Sequence, residues 1–364
     1  MEKLKKRING IDFARSCCTI GIITFHFAIK SNSKLRSLFF KTANSGFGFM
    51  FVTSFFSMSG AVLYYNYPKV TSLKIFYYKR WKSIFPSYYL CFIFFFMKKV
   101  FYFHKLFYKS HWSYLIFTIL GMDGYFYYKY NTYYIIGEWF LGAIILLYLI
   151  YPLLSYVINK NIFIIQFLIV IGYLWMKKTN FFIIIDKFNL ITCIQSFYFG
   201  MILVKFKGFF LTNRISGIIS LIILLFLSIF HLDPFVLIFQ IQGFSLFIFL
   251  VNIGNFIMNM KFKYIFVKIS KLSYHMYLIH HCIIVDVLGV NNPNELYNSF
   301  IMLLVSILLI IIYARIISII IDAIFHSNLY IKFENKFMKN YSKLNNMNDN
   351  IIKDNIILIQ NEVN

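Results

Sequence analysis

The stretch INGIDFARSCCTIGIITFHFAI, residues 8–29, decides the fold because it is long enough to cross a bilayer yet contains an arginine and a histidine. Arg15 and His26 are eleven positions apart, and eleven helical steps of about 100° end roughly 20° from the starting direction. Both side chains therefore lie on one face, roughly 16 Å apart along the axis. An arginine inside a spanning helix costs about 3 kcal/mol, so we expect this face to turn toward protein or water.

The composition places the whole chain among membrane proteins. Of its 364 residues, 60% are hydrophobic and 21% aromatic, more than a soluble core of this length needs. The first seven residues are basic, but no small-residue cleavage site follows them, so we expect the first span to be retained. We therefore expect a multi-pass membrane protein.

Ten apolar stretches of roughly membrane length predict an all-α polytopic bundle of ten spanning helices. They are residues 8–29, 46–67, 83–103, 135–157, 161–176, 181–204, 214–232, 235–258, 269–289 and 299–325. An eleventh stretch, residues 112–128, is interrupted by Gly121, Asp123 and Gly124, so we expect it to be interfacial or re-entrant. With ten spans, most loop lysines and arginines lie on the side of the N-terminus, and the positive-inside rule predicts that both termini are cytoplasmic.

The predicted organisation is one membrane domain, residues 1–326, followed by a cytoplasmic Asn- and Lys-rich tail, residues 327–364. The net charge of +23 comes from residues scattered singly between apolar segments. This distribution fits loop charges of a membrane protein and gives no reason to expect nucleic-acid binding. The five cysteines lack metal-ligand spacing, so we interpret them as packing residues and predict no metal site.

Two helices carry polar side chains suited to catalysis. Histidine transfers protons near neutral pH, and arginine binds phosphate or carboxylate groups, so Arg15 and His26 are candidate catalytic residues. The ninth helix carries Ser273, Tyr277 and His280 on one stripe, with His281 adjacent. The alternative is that these groups serve only helix packing or lie at the membrane interface.

A basic segment follows the second helix. Lys79, Arg80 and Lys82 precede Pro86, which we expect to start the third helix. They are either an ordinary topogenic signal or a clamp for the phosphates of a nucleotide-like donor. The predicted donor-binding residues are therefore Arg80, Lys79 and Lys82.

Further candidates are expected to line the site rather than to react. Ser59 precedes Gly60 in the second helix, where small residues otherwise serve close helix packing. Trp139 follows Glu138 near the start of the predicted fourth helix, where tryptophan is normally an interfacial anchor. The predicted path-lining residues are Ser59, Tyr277, Ser273 and Trp139.

With these residues assembled, the chain resembles the acyltransferase 3 family, integral-membrane enzymes that modify cell-surface polysaccharides and peptidoglycan. The match covers about Arg7 to Phe325. The family's first-helix motif of arginine, ten residues and histidine is matched by Arg15 and His26. Three further motifs occur in the family's order, at Phe56, Ser59 and Gly60; at Trp139, Leu141, Tyr148 and Pro152; and at Ser273, Tyr274, Tyr277, Leu278 and His280.

Two positions depart from the family pattern. The family's cytoplasmic Arg-x-x-Arg-x-x-Pro has Arg80 and Pro86, but Ser83 stands where the second arginine belongs. Lys79 or Lys82 would have to supply that charge, as a point charge without the bidentate fork of arginine. Many members also carry a glutamate five residues after the helix-four tryptophan, where this chain has Ile144.

The resemblance implies an O-acyltransferase that moves an acyl group, expected to be acetyl, from cytoplasmic acyl-CoA to a hydroxyl of a surface glycan or its lipid-linked precursor. The resemblance also implies a location in the bacterial cytoplasmic membrane, and no bound cofactor is expected. Arg80, with Lys79 and Lys82, would hold the CoA phosphates, and Arg15 would steady the donor or the thioester oxygen. His26 would be general base or transient acyl carrier, with His280 beside the path.

Two questions remain open at the level of the sequence. The predicted topology places His26 near the outer face and His280 about halfway through the membrane, so contact between them is undecided. The alternative function is a polysaccharide exporter or flippase that uses the same polar bundle without making a bond.

Overall fold

The computed structural model describes residues 10–31, 35, 47–107, 110–137, 139–179, 188–206, 208–230, 236–293 and 295–337. The regular secondary structure in these ranges is helical, which confirms the all-α prediction. The ten long helices are α1 Gly10–Lys30, α2 Phe47–Asn66, α3 Leu73–Phe103, α4 Trp139–Lys160, α5 Ile162–Thr179, α6 Leu190–Lys205, α7 Arg214–Ile229, α8 Val236–Ile257, α9 Lys263–Val290 and α10 Leu296–Phe325. They follow the order of the ten predicted spans.

Five of these helices, α2, α3, α4, α8 and α10, are long and apolar enough to cross a membrane. Helices α1 and α9 have 21 and 28 residues but carry the charged and imidazole side chains that lower their hydropathy. Helices α5, α6 and α7 have 16 to 18 residues. The total of ten spans and the cytoplasmic position of both termini stay predictions.

The chain divides into two compact units, residues 1–315 and residues 316–364. All candidate site residues belong to the first unit. The second contains, in its described part, the end of α10 and a helical stretch at residues 328–337. The predicted domain boundary at residue 326 stays a prediction, and the tail beyond residue 337 and the predicted start of the sixth helix at residue 181 lie outside the described residues.

Helix α3 begins at Leu73, ten residues before the predicted start. The Ser72 side chain caps it by accepting a hydrogen bond from the backbone N–H of Ile75 at 3.3 Å. Pro86 lies inside this helix, so the prediction that it starts the helix is wrong. Membrane helices tolerate an internal proline because neighbouring groups satisfy the freed backbone atoms. The predicted basic loop is thus the first part of α3.

Helix α4 starts later than predicted. Helix α4 begins at Trp139 rather than residue 135, because Gly137 has a φ of +67° and donates its N–H to the carbonyl of Leu278 at 3.0 Å. The interrupted stretch forms the short helices Trp112–Tyr114, Leu115–Ile119 and Asp123–Phe126, so no single helix covers residues 112–128.

Small residues bring α2 and α6 into close contact. A Cβ atom added at Gly60 would lie 1.9 Å from the carbonyl oxygen of Phe197, and one added at Gly200 would lie 1.8 Å from that of Ser57. The Ser57 hydroxyl also donates to the carbonyl of Ser196 at 3.0 Å. Such contacts are typical of membrane helices, where close backbone approach replaces the hydrophobic effect. The packing interpretation is therefore confirmed for Gly60.

Candidate functional site

A cavity of about 390 Å³ lies between α1, α2, α3, α4 and α9, and we call it the arginine cavity. Seven of the ten predicted site residues line it: Arg15, His26, Ser59, Arg80, Trp139, Ser273 and Tyr277. Arg15 and His26 face the same space, in agreement with their eleven-residue spacing. Lys79, Lys82 and His280 are absent from the described lining.

A buried carboxylate fixes the position of Arg15. Ser270 donates from its hydroxyl to Asp12 Oδ1 at 2.7 Å and accepts from Arg15 Nη1 at 3.4 Å. Asp12 is only 2% exposed, so its charge requires partners inside the protein. The sequence analysis did not identify Asp12, although its position three residues before Arg15 places both on one helix face.

Arg80 is the member of the predicted cationic clamp that reaches the cavity. Its guanidinium carbon lies 5.7 Å from the ring centre of Tyr67 and 5.6 Å from that of Tyr148, so two aromatic faces orient it. Lys79 is exposed, and its Nζ lies 5.8 Å from the ring centre of the same Tyr67. The structure thus does not bring Lys79 or Lys82 to the cavity.

Lys271 is a cation of the site that the sequence analysis missed. It lines the arginine cavity together with Ser83, the residue that stands in place of the family's second loop arginine. Lys271 lies outside the stripe formed by Ser273, Tyr277 and His280, and no motif marks it. With Arg15 and Arg80 it gives the cavity three cationic side chains, which fits a multiply charged anion.

His26, a lining residue of the cavity, belongs to a group of three imidazoles, which we call the histidine cluster. The ring centroid of His26 lies 5.1 Å from that of His280 and 4.3 Å from that of His281. The centroids of His280 and His281 are 4.4 Å apart. The structure thus answers the open question of contact between α1 and α9. His281, noted in the sequence only as a neighbour, completes the cluster.

The hydrogen bonding of His280 favours one tautomer. Its Nδ1 lies 2.6 Å from the carbonyl oxygen of Tyr277, an arrangement that assigns the proton to Nδ1 and leaves Nε2 as the basic nitrogen. His280 is fully buried, and Nε2 has no hydrogen-bond partner among the described residues. A basic nitrogen is therefore available beside His26.

Three imidazoles are also a ligand set found in catalytic zinc sites. One nitrogen from each ring lies within 4.8 Å of the other two. Zinc–nitrogen bonds of 2.0–2.1 Å in a tetrahedral site place the nitrogens about 3.4 Å apart, so the rings would have to move together to bind an ion. The prediction that the protein has no metal site stays a prediction.

Two further cavities reach the histidine cluster from the other end of α1. The tyrosine cavity, about 390 Å³ and lined by Tyr125, Tyr127, Tyr128 and Tyr134, shares His26 and Trp139 with the arginine cavity. A cavity of about 840 Å³ is bordered by His281 and by three lysines. Two members of the histidine cluster, His26 and His281, therefore border cavities, His26 two of them and His281 one.

The remaining predicted residues have distinct environments. Ser59 faces the arginine cavity while the next residue, Gly60, packs on α6. Ser273 also lines the cavity, but its hydroxyl donates to the carbonyl of Ser270 on its own helix at 2.8 Å. Trp139 packs its ring 4.4 Å from that of Phe188, which positions it between two cavities.

The sequence profile of the acyltransferase 3 family, described as an acyltransferase domain, matches residues 8–323. No curated protein and no solved structure matches the chain. The profile covers nearly the whole chain and includes all candidate site residues, which confirms the resemblance seen in the sequence. The chain therefore belongs to the acyltransferase 3 family of acyltransferases.

Proposed function

We propose that the protein transfers an acetyl group from cytoplasmic acetyl-CoA to a hydroxyl of a surface polysaccharide or its lipid-linked precursor. The observation that carries this proposal is the arginine cavity, which has cationic side chains at one end and the histidine cluster at the other. A phosphate-bearing donor with a distant reactive group fits such a cavity. Family membership supports the general activity of an acyltransferase.

The separation of Arg15 and His26 favours one of two roles for the arginine. Their Cα atoms are roughly 16 Å apart along α1. The Arg15 guanidinium contacts the hydroxyl of Ser270, which lies ten residues before His280 on α9. It therefore does not reach a carbonyl that reacts beside His26. We assign Arg15, with Arg80 and Lys271, to the CoA phosphates and the adjacent arm, which extends the thioester toward the histidines.

The transfer step uses His26 as general base. The imidazole takes the proton from the acceptor hydroxyl while the oxygen attacks the thioester carbonyl, forming the new carbon–oxygen bond. The carbon–sulfur bond then breaks, and the CoA thiolate takes the proton back from the imidazolium. The products are the acetyl ester and CoA with a free thiol.

The developing negative charge on the carbonyl oxygen needs a hydrogen-bond donor. The Tyr277 ring lies 5.9 Å from that of His280 and borders the arginine cavity, so we assign this donor role to its hydroxyl. His280, through its basic Nε2, supports proton transfer in the cluster. Ser59 and Trp139 line the route of the acyl group.

The sharing of His26 between two cavities supports direct transfer. A donor in the arginine cavity and an acceptor in the tyrosine cavity would both contact this imidazole. An acetyl-histidine intermediate is the alternative use of the same residue. The two routes differ in one observable, because only the intermediate route permits labelled acetyl to remain on the protein without acceptor.

The experiment that tests the function is a transfer assay on the purified full-length protein in lipid nanodiscs with acetyl-CoA labelled on the acetyl group. We expect labelled ester on the cell's own surface glycan, and deletion of the gene should leave that glycan at the surface without ester-linked acetyl groups. If deletion instead retains glycan inside the cell and no labelled ester forms, the protein is an exporter and the proposal fails.

A further inference from the structure

The arginine cavity and the tyrosine cavity have part of their walls in common. Ile22, Val52 and Trp139 border both cavities, as His26 does. They come from three helices, α1, α2 and α4, and Ile22 lies about one turn before His26 on the same face of α1. We call Ile22, Val52 and Trp139 the shared wall. A group that passes from one cavity to the other beside His26 therefore meets these three side chains.

The packing around the shared wall holds it rigidly. Ile22 is 7% exposed and belongs to a buried hydrophobic cluster, against which Val52 also packs. Both residues are branched at Cβ, which leaves them few side-chain rotamers. The Trp139 ring has two aromatic neighbours, with its centroid 4.4 Å from that of Phe188 and 6.1 Å from that of Phe56. Because protein interiors are close-packed, the wall cannot widen without a shift of these neighbours.

The two cavities that meet at the shared wall differ in charge. Arg15, Arg80 and Lys271 line the arginine cavity, whereas the described lining of the tyrosine cavity contains no lysine, arginine or carboxylate. The shared wall itself consists of apolar side chains, which do not replace the water around a phosphate. The phosphates of a CoA donor are therefore best bound in the arginine cavity, so that the acyl end of the donor is the part that reaches the shared wall.

A rigid apolar wall discriminates between acyl groups by their size. One methylene group more than a hydrophobic pocket accommodates typically changes kcat/KM by about 10- to 200-fold. The acetyl group ends in a methyl group, while propionyl and butyryl add methylene groups beyond it. These methylene groups would extend into the shared wall when the thioester carbonyl lies beside His26. Chain length is therefore the property of the donor that the shared wall can read.

We propose that Ile22, Val52 and Trp139 determine the length of the transferred acyl group and restrict it to acetyl. This inference rests on the proposed function and specifies which residues select its donor. The acetyl methyl group fits between the shared wall and His26, whereas the longer chains of propionyl and butyryl collide with the branched side chains. The enzyme therefore prefers acetyl-CoA over longer acyl-CoA donors.

The test compares donors that differ only in chain length. The full-length protein in nanodiscs receives acetyl-CoA, propionyl-CoA or butyryl-CoA, each labelled on the acyl group, with the cell's own surface glycan as acceptor. We expect kcat/KM for butyryl-CoA to be at least about tenfold below that for acetyl-CoA. Equal kcat/KM for all three donors would overturn the inference and leave the proposed function intact. Absence of transfer from every donor would refute the proposed function, and the inference would fall with it.

A widened wall should accept the longer donor. Val52→Ala removes both γ-methyl groups, so it should raise the ratio of kcat/KM for butyryl-CoA to that for acetyl-CoA by at least about tenfold. Both donors are measured on the same sample, so a loss of folded protein leaves this ratio unchanged. Val62→Ala is the matched control, because Val62 lies on the same helix and lines the arginine cavity but not the described part of the tyrosine cavity. An unchanged ratio in Val52→Ala, or an equal increase in Val62→Ala, would contradict the assignment.

A narrowed wall should have the opposite effect. Val52→Ile adds a methyl group and keeps the branch at Cβ, so it should lower the ratio of kcat/KM for propionyl-CoA to that for acetyl-CoA by about tenfold. A second pair of variants repeats the comparison on other helices. Ile22→Ala should raise the butyryl ratio, whereas Ile144→Ala should not, because the described residues around the tyrosine cavity include Ile22 but not Ile144. A propionyl ratio that stays constant or rises in Val52→Ile, or equal butyryl ratios in the two isoleucine variants, would refute the inference.

Discussion

His26 of α1 and His280 of α9 place their ring centroids 5.1 Å apart, although they come from opposite ends of the membrane domain's sequence. This proximity brings the histidine of the first family motif and the histidine of the last motif into one cluster of imidazoles. Because His280 is buried and bound to the carbonyl of Tyr277, it holds a fixed orientation toward His26. In the proposed mechanism, this preorganised pair would carry out the proton transfer.

Replacing His26 tests its proposed role as general base. His26→Ala should lower the transfer rate by about 10²–10⁴-fold, the usual contribution of a general base, while the affinity for acetyl-CoA changes little. The measurement is the rate of labelled ester formation in nanodiscs, with donor affinity determined separately.

The control for this variant is a histidine outside the site. His111 is exposed and its Nδ1 lies 2.8 Å from the hydroxyl of Ser113, so His111→Ala should retain full activity. The general-base assignment would be refuted by near-normal transfer in His26→Ala at equal protein content.

Arg80 and Lys79 are neighbours in sequence but differ in access to the arginine cavity. Arg80→Ala should raise the KM for acetyl-CoA by about 10- to 100-fold, because a hydrogen bond to a charged group contributes about 1.5–3 kcal/mol. Lys79→Ala should change it less than about threefold, since Lys79 lies outside the lining. Steady-state kinetics over a range of donor concentrations separates the two, and equal effects would show that the residues act only through general charge.

The effect of the family's second loop arginine can be tested by introducing an arginine at position 83, where this chain has Ser83. Ser83 lines the arginine cavity and is exposed, so a longer side chain fits there without displacing the core. Ser83→Arg should lower the KM for acetyl-CoA and should largely rescue Lys271→Ala, which removes the other nearby cation. The same substitution at exposed Ser113, outside the described lining of the arginine cavity, should have no effect on the KM. A failure of Ser83→Arg to rescue Lys271→Ala would show that the lysine does not supply the missing charge.

Much of the fold and part of the site could be predicted because they depend on local periodicity. The shared face of Arg15 and His26 follows from helix geometry within one segment, and the ten long helices follow from hydropathy. The start of α3 could not be predicted in the same way. A proline usually marks a helix start in water, but here Ser72 provides an earlier cap and the helix continues through Pro86.

The contacts between helices could not be predicted from the periodicity of each segment. Lys271 enters the arginine cavity, and Ser270 links Asp12 to Arg15, only because α9 packs against α1. Nothing in either segment specifies its neighbour. Likewise, the sequence could not decide whether Lys79 or Arg80 reaches the cavity, because that depends on where α3 begins and on the two tyrosine rings around Arg80.

Asp12 should act as a positioning residue for Arg15. Asp12→Asn keeps the shape and one acceptor oxygen but replaces the other oxygen by an NH2 donor and removes the charge, so Ser270 and the guanidinium lose their electrostatic anchor. We expect a higher KM for acetyl-CoA with a nearly unchanged maximal rate, whereas Asp12→Ala should also lower thermal stability. Asp12→Glu should recover donor affinity in part. A loss of maximal rate without a change in KM would contradict a positioning role in donor binding.

The contact between α2 and α6 predicts a purely structural effect next to the site. A methyl group at Gly60 would lie 1.9 Å from the carbonyl oxygen of Phe197, so Gly60→Ala forces the helices apart. Overpacking of this kind costs about 1–3 kcal/mol, and we expect a lower unfolding temperature in detergent. Gly289→Ala is the control, because its added methyl group meets no described atom within 4 Å and alanine favours helix. Equal unfolding temperatures for the two variants would show that the helices are not packed as closely as the structure places them.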